Sequence, residues 1–139
     1  MFQNILIAYD GSEHASHAAQ IAGDLGRQQT HAELWLVVVV EPIPKDLGEP
    51  YVDKLIAKRT QEGEKMIRKA KKFIGEDITV NEVLLFASPA ESIIEEAEIQ
   101  KCDLIIMGSR GLGSLRGLLL GSQTHKVISL AKCPVLAVK

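Results

Sequence analysis

Short apolar runs alternate with amphipathic stretches from one end of the chain to the other. Ile5 to Tyr9 is apolar throughout and is stopped by Asp10-Gly11-Ser12, which predicts a strand followed by a turn. From Glu13 to Gln29, Ala15, Ala18, Ala22, Leu25 and Gly26 recur at three- and four-residue steps, the face of a helix. Leu34 to Val40 is apolar at every position, the pattern of a strand covered on both faces in the middle of a parallel sheet. Glu41 to Pro50 holds three of the five prolines and predicts a loop. A long helix over Tyr51 to Ile74 then turns Val52, Leu55, Met66, Ala70 and Phe73 toward the core, and Val80 to Phe86 is a third strand. Ser88-Pro89-Ala90-Glu91 has the form of a helix start, with Ser88 as cap, Pro89 in the first turn and Glu91 closing a capping box. Leu104 to Met107 is a fourth strand bounded by Gly108. A glycine-rich loop leads to a helix from Ser122 to Ala131, and Pro134 to Val138 is the fifth strand.

Five strands separated by four helical stretches predict an α/β fold with a five-stranded parallel doubly wound sheet, Rossmann-like in its winding. With strand order 3-2-1-4-5 the topological switch lies between strands 1 and 4, and a ligand belongs beyond their carboxyl ends. Those ends are Tyr9-Asp10-Gly11-Ser12 and Met107-Gly108-Ser109-Arg110-Gly111. The sheet accounts for the whole length, so residues 1–139 read as a single domain.

Composition narrows the partners. Sixteen basic against eighteen acidic residues leave a net charge of −2, which argues against a whole-surface nucleic-acid or membrane binder. The longest apolar run, Leu34 to Val40, is far short of the roughly 20 residues a membrane span needs. Met1-Phe2-Gln3 leads into the first strand without a basic flank, so no signal peptide is expected. Two widely spaced cysteines suit a reducing compartment, and the expected location is the cytoplasm.

The glycine loop carries the chemistry. Glycine lets backbone N–H groups converge on an anion, and Gly121-Ser122-Gln123-Thr124 opens a helix whose free N–H groups and dipole favour phosphate. Ser122 and Thr124 offer hydroxyl donors and Arg110 a charge. Neither the Gly-Lys-Ser/Thr of a P-loop nor a Gly-x-Gly-x-x-Gly after the first strand is present. A turn with only a packing role is the plain alternative for such a loop.

In these features the chain resembles the universal stress protein family over essentially its whole length. The resemblance rests on Asp10-Gly11-Ser12, Ser88-Pro89, Cys133-Pro134-Val135 and the loop itself. The ATP-binding branch of that family carries Gly-x-x-Gly, nine residues, then Gly-Ser/Thr, and the pattern is met at Gly108, Gly111, Gly121 and Ser122. The resemblance implies an adenine nucleotide, ATP or its relatives ADP and AMP, with Mg²⁺ as companion. It implies that Asp10 contacts the ribose or adenine side and Val39 offers backbone hydrogen bonds to the adenine edge. Ala8 and Met107 stand at the strand ends that line the same crevice. Gly108, Arg110 and Gly111 would line the ribose and phosphates, while Gly121, Ser122, Gln123 and Thr124 would hold the β- and γ-phosphates. Two positions depart from the family habit: Ala87 stands where glycine is frequent, and Arg110 where histidine is common. The resemblance also implies a homodimer through antiparallel pairing of strand 5, Pro134 to Val138, an edge strand by the proposed order.

Other candidates have plainer readings. Asp10 or Ser12 equally fits the cap of the first helix. His14 and His17 lie three apart, but lack a third ligand at useful spacing and read as a solvated helix start; His125 reads as surface. Cys102 and Cys133 precede strands 4 and 5, and if those strands are neighbours the two thiols can approach each other at the pole opposite the nucleotide. Buried or half-buried thiols are the default there. Gly117-Leu118-Leu119-Leu120-Gly121 imitates a membrane packing motif within too short a run, so Leu118 to Leu120 are expected to seat the loop on the core. The second helix is basic and the third acidic, and the winding places them on opposite faces.

The leading functional reading is a nucleotide-dependent regulatory dimer that signals through an unspecified protein partner. Phosphoryl transfer needs Mg²⁺ ligands and a group that orients the nucleophile. Around the expected phosphates stand Ser122, Thr124 and Arg110 without a lysine, and Asp10 is the evident carboxylate. The related ATP pyrophosphatases carry a Ser-Gly-Gly-x-Asp-Ser type loop that Asp10-Gly11-Ser12-Glu13 replaces here. A slow ATPase in the same pocket and a nucleotide-independent interaction module are the alternatives.

Overall fold

The computed structural model of the chain describes residues 1–112 and 119–139. The chain runs β1 (Asn4–Ala8), α1 (Glu13–Gln28), β2 (Glu33–Val40), α2 (Tyr51–Ile74), β3 (Asn81–Phe86), α3 (Pro89–Ile99), β4 (Leu104–Gly108), α4 (Ser122–Leu130) and β5 (Val135–Val138). The five strands form one parallel sheet in the order β3-β2-β1-β4-β5, as the pattern predicts. Among the described residues no helix is long and apolar enough to cross a membrane.

Alternation along each strand sorts the core into two layers. Ile5, Ile7, Leu34, Leu36, Val38, Leu104 and Ile106 point to the side covered by α1 and α2. Leu6, Ala8, Val37, Ile105 and Met107 point to the side covered by α3 and α4. A strand buried on both faces needs apolar residues at every position, which is why β1, β2 and β4 read as unbroken runs. The basic α2 and acidic α3 therefore lie on opposite faces, and Glu91 and Glu98 of α3 are answered by Lys126 and Lys132 at 3.7 and 3.3 Å.

Small residues bring α1 close to its neighbours: Ala15, Ala18, Ala19 and Ala22 are buried, and a Cβ on Gly23 would strike the carbonyl of Ile74 at the end of α2. The buried face of α2 is Gly63, Ile67, Ala70 and Ile74. Met66 and Phe73 flank it, while Val52 and Leu55, in the first turns of α2, are only half-buried.

The predicted capping box at α3 does not form. The Ser88 side chain makes no cap bond, and Glu91 turns to Lys126 of α4. The side-chain oxygen of Gln123 accepts the Ala90 N–H at 3.1 Å instead, because α4 packs against this end of α3. Leu118 lies outside the described residues; Leu119 is exposed and Leu120 half-buried, so Leu119 does not seat the loop on the core.

Candidate functional site

The strand order reverses between β1 and β4, and a cavity of about 650 Å³ lies beyond their carboxyl ends. This is within the range of small-molecule sites. All eleven residues singled out from the sequence line it: Ala8, Asp10 and Val39 from the ends of β1 and β2, Met107, Gly108, Arg110 and Gly111 from β4 and its loop, and Gly121, Ser122, Gln123 and Thr124 from the start of α4.

The helix starts meeting at this end of the sheet are treated differently. Ser12 caps α1, its hydroxyl accepting the Ala15 N–H at 3.2 Å. That resolves the choice between Asp10 and Ser12. Asp10 serves instead as a tie: one carboxylate oxygen accepts the Ser12 N–H at 2.9 Å and the other the Leu112 N–H at 3.3 Å. The β1 end is thereby fastened to the loop after β4, and a Cβ on Gly111 would collide with that carboxylate. Gly11 takes the turn at a φ of 86°, where glycine carries no steric penalty.

At α4 the cap position is Gly121, which has no side chain to accept a bond from the first turn. Its backbone is held by a 2.8 Å bond from its N–H to the Ser109 carbonyl. Thr124 is buried, and its hydroxyl donates to the Gly108 carbonyl at 2.8 Å. Contrary to the sequence expectation, that hydroxyl is therefore committed to joining α4 to β4. Ser122 is exposed and lines the cavity. The Gln123 side chain is engaged in capping α3. What α4 presents to the cavity is its backbone end and partial positive charge.

Two features lay beyond the sequence reading. His14 is half-buried rather than solvated: Nδ1 lies 2.9 Å from the Ser109 hydroxyl and Nε2 lies 3.5 Å from Arg110 Nη2. A guanidinium only donates, so Nε2 accepts and Nδ1–H donates to Ser109. His14 thus holds Arg110 back against α1. His17 is exposed, its Nδ1 lying 2.8 Å from the Lys139 carbonyl, and His125 is exposed as expected. The second feature is a wall from α2, made of Leu55, Lys58, Arg59, Glu62 and Met66. Arg59 donates to the carbonyls of Glu41 and Pro42, tying the loop after β2 to this helix. A strong signal for an α2 wall was absent from the sequence, where these residues look like an ordinary amphipathic face.

Comparison with known proteins decides the family. The model of the universal stress protein family matches residues 1–139. The chain belongs to the universal stress protein family. A universal stress protein of Thermus aquaticus is 44% identical over 143 residues, covering all of both chains. Universal stress protein YxiE of Bacillus subtilis is 32% identical, again over all of both chains. Among solved structures, MJ0577 of Methanocaldococcus jannaschii superposes with a TM-score of 0.87 at 33% identity, covering 100% of this chain and 96% of that one. A universal stress protein in complex with cAMP matches at TM-score 0.75 and 24% identity, covering 99% of this chain and 97% of that one. One from Archaeoglobus fulgidus in complex with dAMP matches at TM-score 0.73 and 20% identity, covering 99% and 98%. These last two share the fold.

Proposed function

We propose that residues 1–139 form one adenine-nucleotide-binding domain, a cytoplasmic stress-response module that takes ATP at the switch point and acts as a regulated dimer. The observation that carries this reading is the start of α4: an uncapped helix end behind Gly121, opening into a cavity of about 650 Å³ between β1 and β4. An anion completes such an end, supplying the acceptors that a side-chain cap would otherwise provide. The fold neighbours in complex with cAMP and dAMP agree in ligand class, while the choice of ATP rests on this chain's own Gly108, Gly111, Gly121 and Ser122.

In this reading the backbone N–H groups of Ser122, Gln123 and Thr124 hold the outer phosphates, with the Ser122 hydroxyl at their side. Arg110 adds positive charge from the loop. Val39 meets the adenine edge through its backbone. Asp10 faces the ribose with the lone pairs its two backbone bonds leave over. Mg²⁺, when bound with the nucleotide, would neutralise part of the phosphate charge, and the Ser122 hydroxyl would be among the groups that hold it. Turnover is slow at best, because Asp10 is already engaged by two backbone groups and holds the loop instead of orienting a nucleophile.

The dimer is proposed through β5, which among the described residues pairs only with β4 and leaves Leu136 38% exposed. An edge of this kind is open to antiparallel pairing with a second copy. Dimer mass in light scattering is the expected result, with Leu136→Pro giving monomer; a native monomer at micromolar concentration contradicts the pairing.

Mixing the purified protein with ATP and following both binding and ADP release tests the function. Tight binding with negligible release is expected. Rapid release makes the protein an ATPase, and absence of binding makes it a nucleotide-independent interaction module.

A further inference from the structure

A second cavity, of about 310 Å³, lies at the opposite pole of the sheet. Cys102 and Cys133 both line it, flanked by Lys101, Lys132 and Glu98. It sits where the chain enters β4 and β5, so it shares nothing with the nucleotide pocket. Both cysteines are free and half-buried.

The sheet register brings them together. Ile105 pairs with Val135, so Asp103 falls opposite Cys133 and Cys102 lies one residue beyond. In a regular ladder, a strand spacing of about 4.8 Å and a rise of about 3.3 Å would put α-carbons so placed roughly 6 Å apart, within disulfide reach. One residue of offset in a regular strand would aim the two side chains at opposite faces. The turn before β4 removes that obstacle: Lys101 has a φ of 56°, and the Cys102 N–H is held by the Ala97 carbonyl at 2.8 Å. The result is that both thiols pack into the same α3–α4 layer.

We propose that Cys102 and Cys133 form a paired oxidation site, closed to an internal disulfide by a small anionic disulfide entering this cavity. Of the acidic neighbours, Glu98 is paired with Lys132 at 3.3 Å, Asp103 accepts the Gln3 and Asn4 N–H groups at 2.9 and 3.1 Å, and Glu96 accepts from Gln100 at 2.9 Å, which leaves the exposed ammonium of Lys101 to meet a carboxylate on the incoming molecule. The Cys133 thiolate attacks one sulfur of the small disulfide, forming a mixed disulfide and expelling one small thiolate. The Cys102 thiolate then attacks the Cys133 sulfur, forming the internal bond and expelling the second. The protein loses two electrons and two protons, and the small disulfide leaves as two thiols.

Burial, reinforced by the neighbouring Cys133, pushes the Cys102 thiol up to about 12. Burial and the Asp103 carboxylate also raise Cys133, its own backbone N–H opposes them, and it escapes the added charge of Glu96 that acts on Cys102, so Cys133 attacks first. Both thiols are protonated near neutrality. The reaction therefore accelerates by about tenfold per pH unit through the neutral range, following the thiolate fraction.

The test uses the full chain with glutathione disulfide, free-thiol titration and intact mass under non-reducing conditions. Both thiols are expected to vanish together, with the mass lower by two hydrogens and no lasting adduct. Cys102→Ser should retain one glutathione on Cys133, and Cys133→Ser should react more slowly than Cys102→Ser. Lys101→Glu should slow the reaction with glutathione disulfide while leaving that with neutral bis(2-hydroxyethyl) disulfide unchanged. Stable adducts on both cysteines of the unsubstituted protein, crosslinks between chains, or two thiols that persist as the pH is raised would each overturn the pairing. Equal slowing with both disulfides would overturn the anionic ligand.

Discussion

Helices α1 and α4 both begin at the carboxyl end of the sheet, yet one start is closed and the other open. Ser12 satisfies the first turn of α1 with its own hydroxyl. Gly121 cannot do the same for α4, and the side chains around it serve other contacts: Thr124 bonds the Gly108 carbonyl and Gln123 caps α3. An uncapped helix end costs stability unless water or a ligand completes it. The contrast sets a start closed for stability beside one left open for the proposed anion.

Closing the open start should have the largest effect. Gly121→Val places a branched side chain at the mouth of the cradle and should weaken ATP by about 100-fold or more, as expected for losing two charge-assisted hydrogen bonds. Calorimetric titration measures it, with circular dichroism confirming the fold. Gln123→Ala removes the acceptor for Ala90 and should cost about 1 kcal/mol of stability, with a smaller loss of ATP affinity. Ser12→Ala opens the closed start: thermal melting should fall by about 3–5 °C while ATP affinity stays essentially unchanged. Gly121→Ser sharpens the comparison most finely. It gives α4 a cap of its own, so stability should rise by a few tenths of a kcal/mol while ATP binds less tightly. A change of both in the same direction would show that the start of α4 is not in competition for an anion.

The architecture was legible in the sequence because burial on two faces leaves an unmistakable trace. Leu34 to Val40 is apolar throughout for that reason, and the helix expected over roughly Tyr51 to Ile74, after the proline-rich loop, runs over Tyr51–Ile74. The candidate site, as a cavity lined by the named residues, was legible as far as glycine spacing and the switch point reach. What stayed hidden depends on side chains meeting across long separations. Gln123 reaching Ala90, His14 holding Ser109 and Arg110, and the α2 wall of Leu55, Lys58 and Met66 involve residues whose local patterns suggest a surface or an ordinary core face. The capping box at Ser88 failed for the same reason, since a neighbouring helix offered the better acceptor.

The central claim is that the start of α4 holds phosphate, and the ratio of affinities for ATP and adenosine measures that contribution alone. Equilibrium titration of both ligands into the native protein and Gly121→Val is the direct test. ATP should bind far more tightly than adenosine to the native protein, and the substitution should collapse that ratio while adenosine binding persists. A native protein that does not distinguish the two ligands, or a variant that keeps the full ratio, would contradict the account.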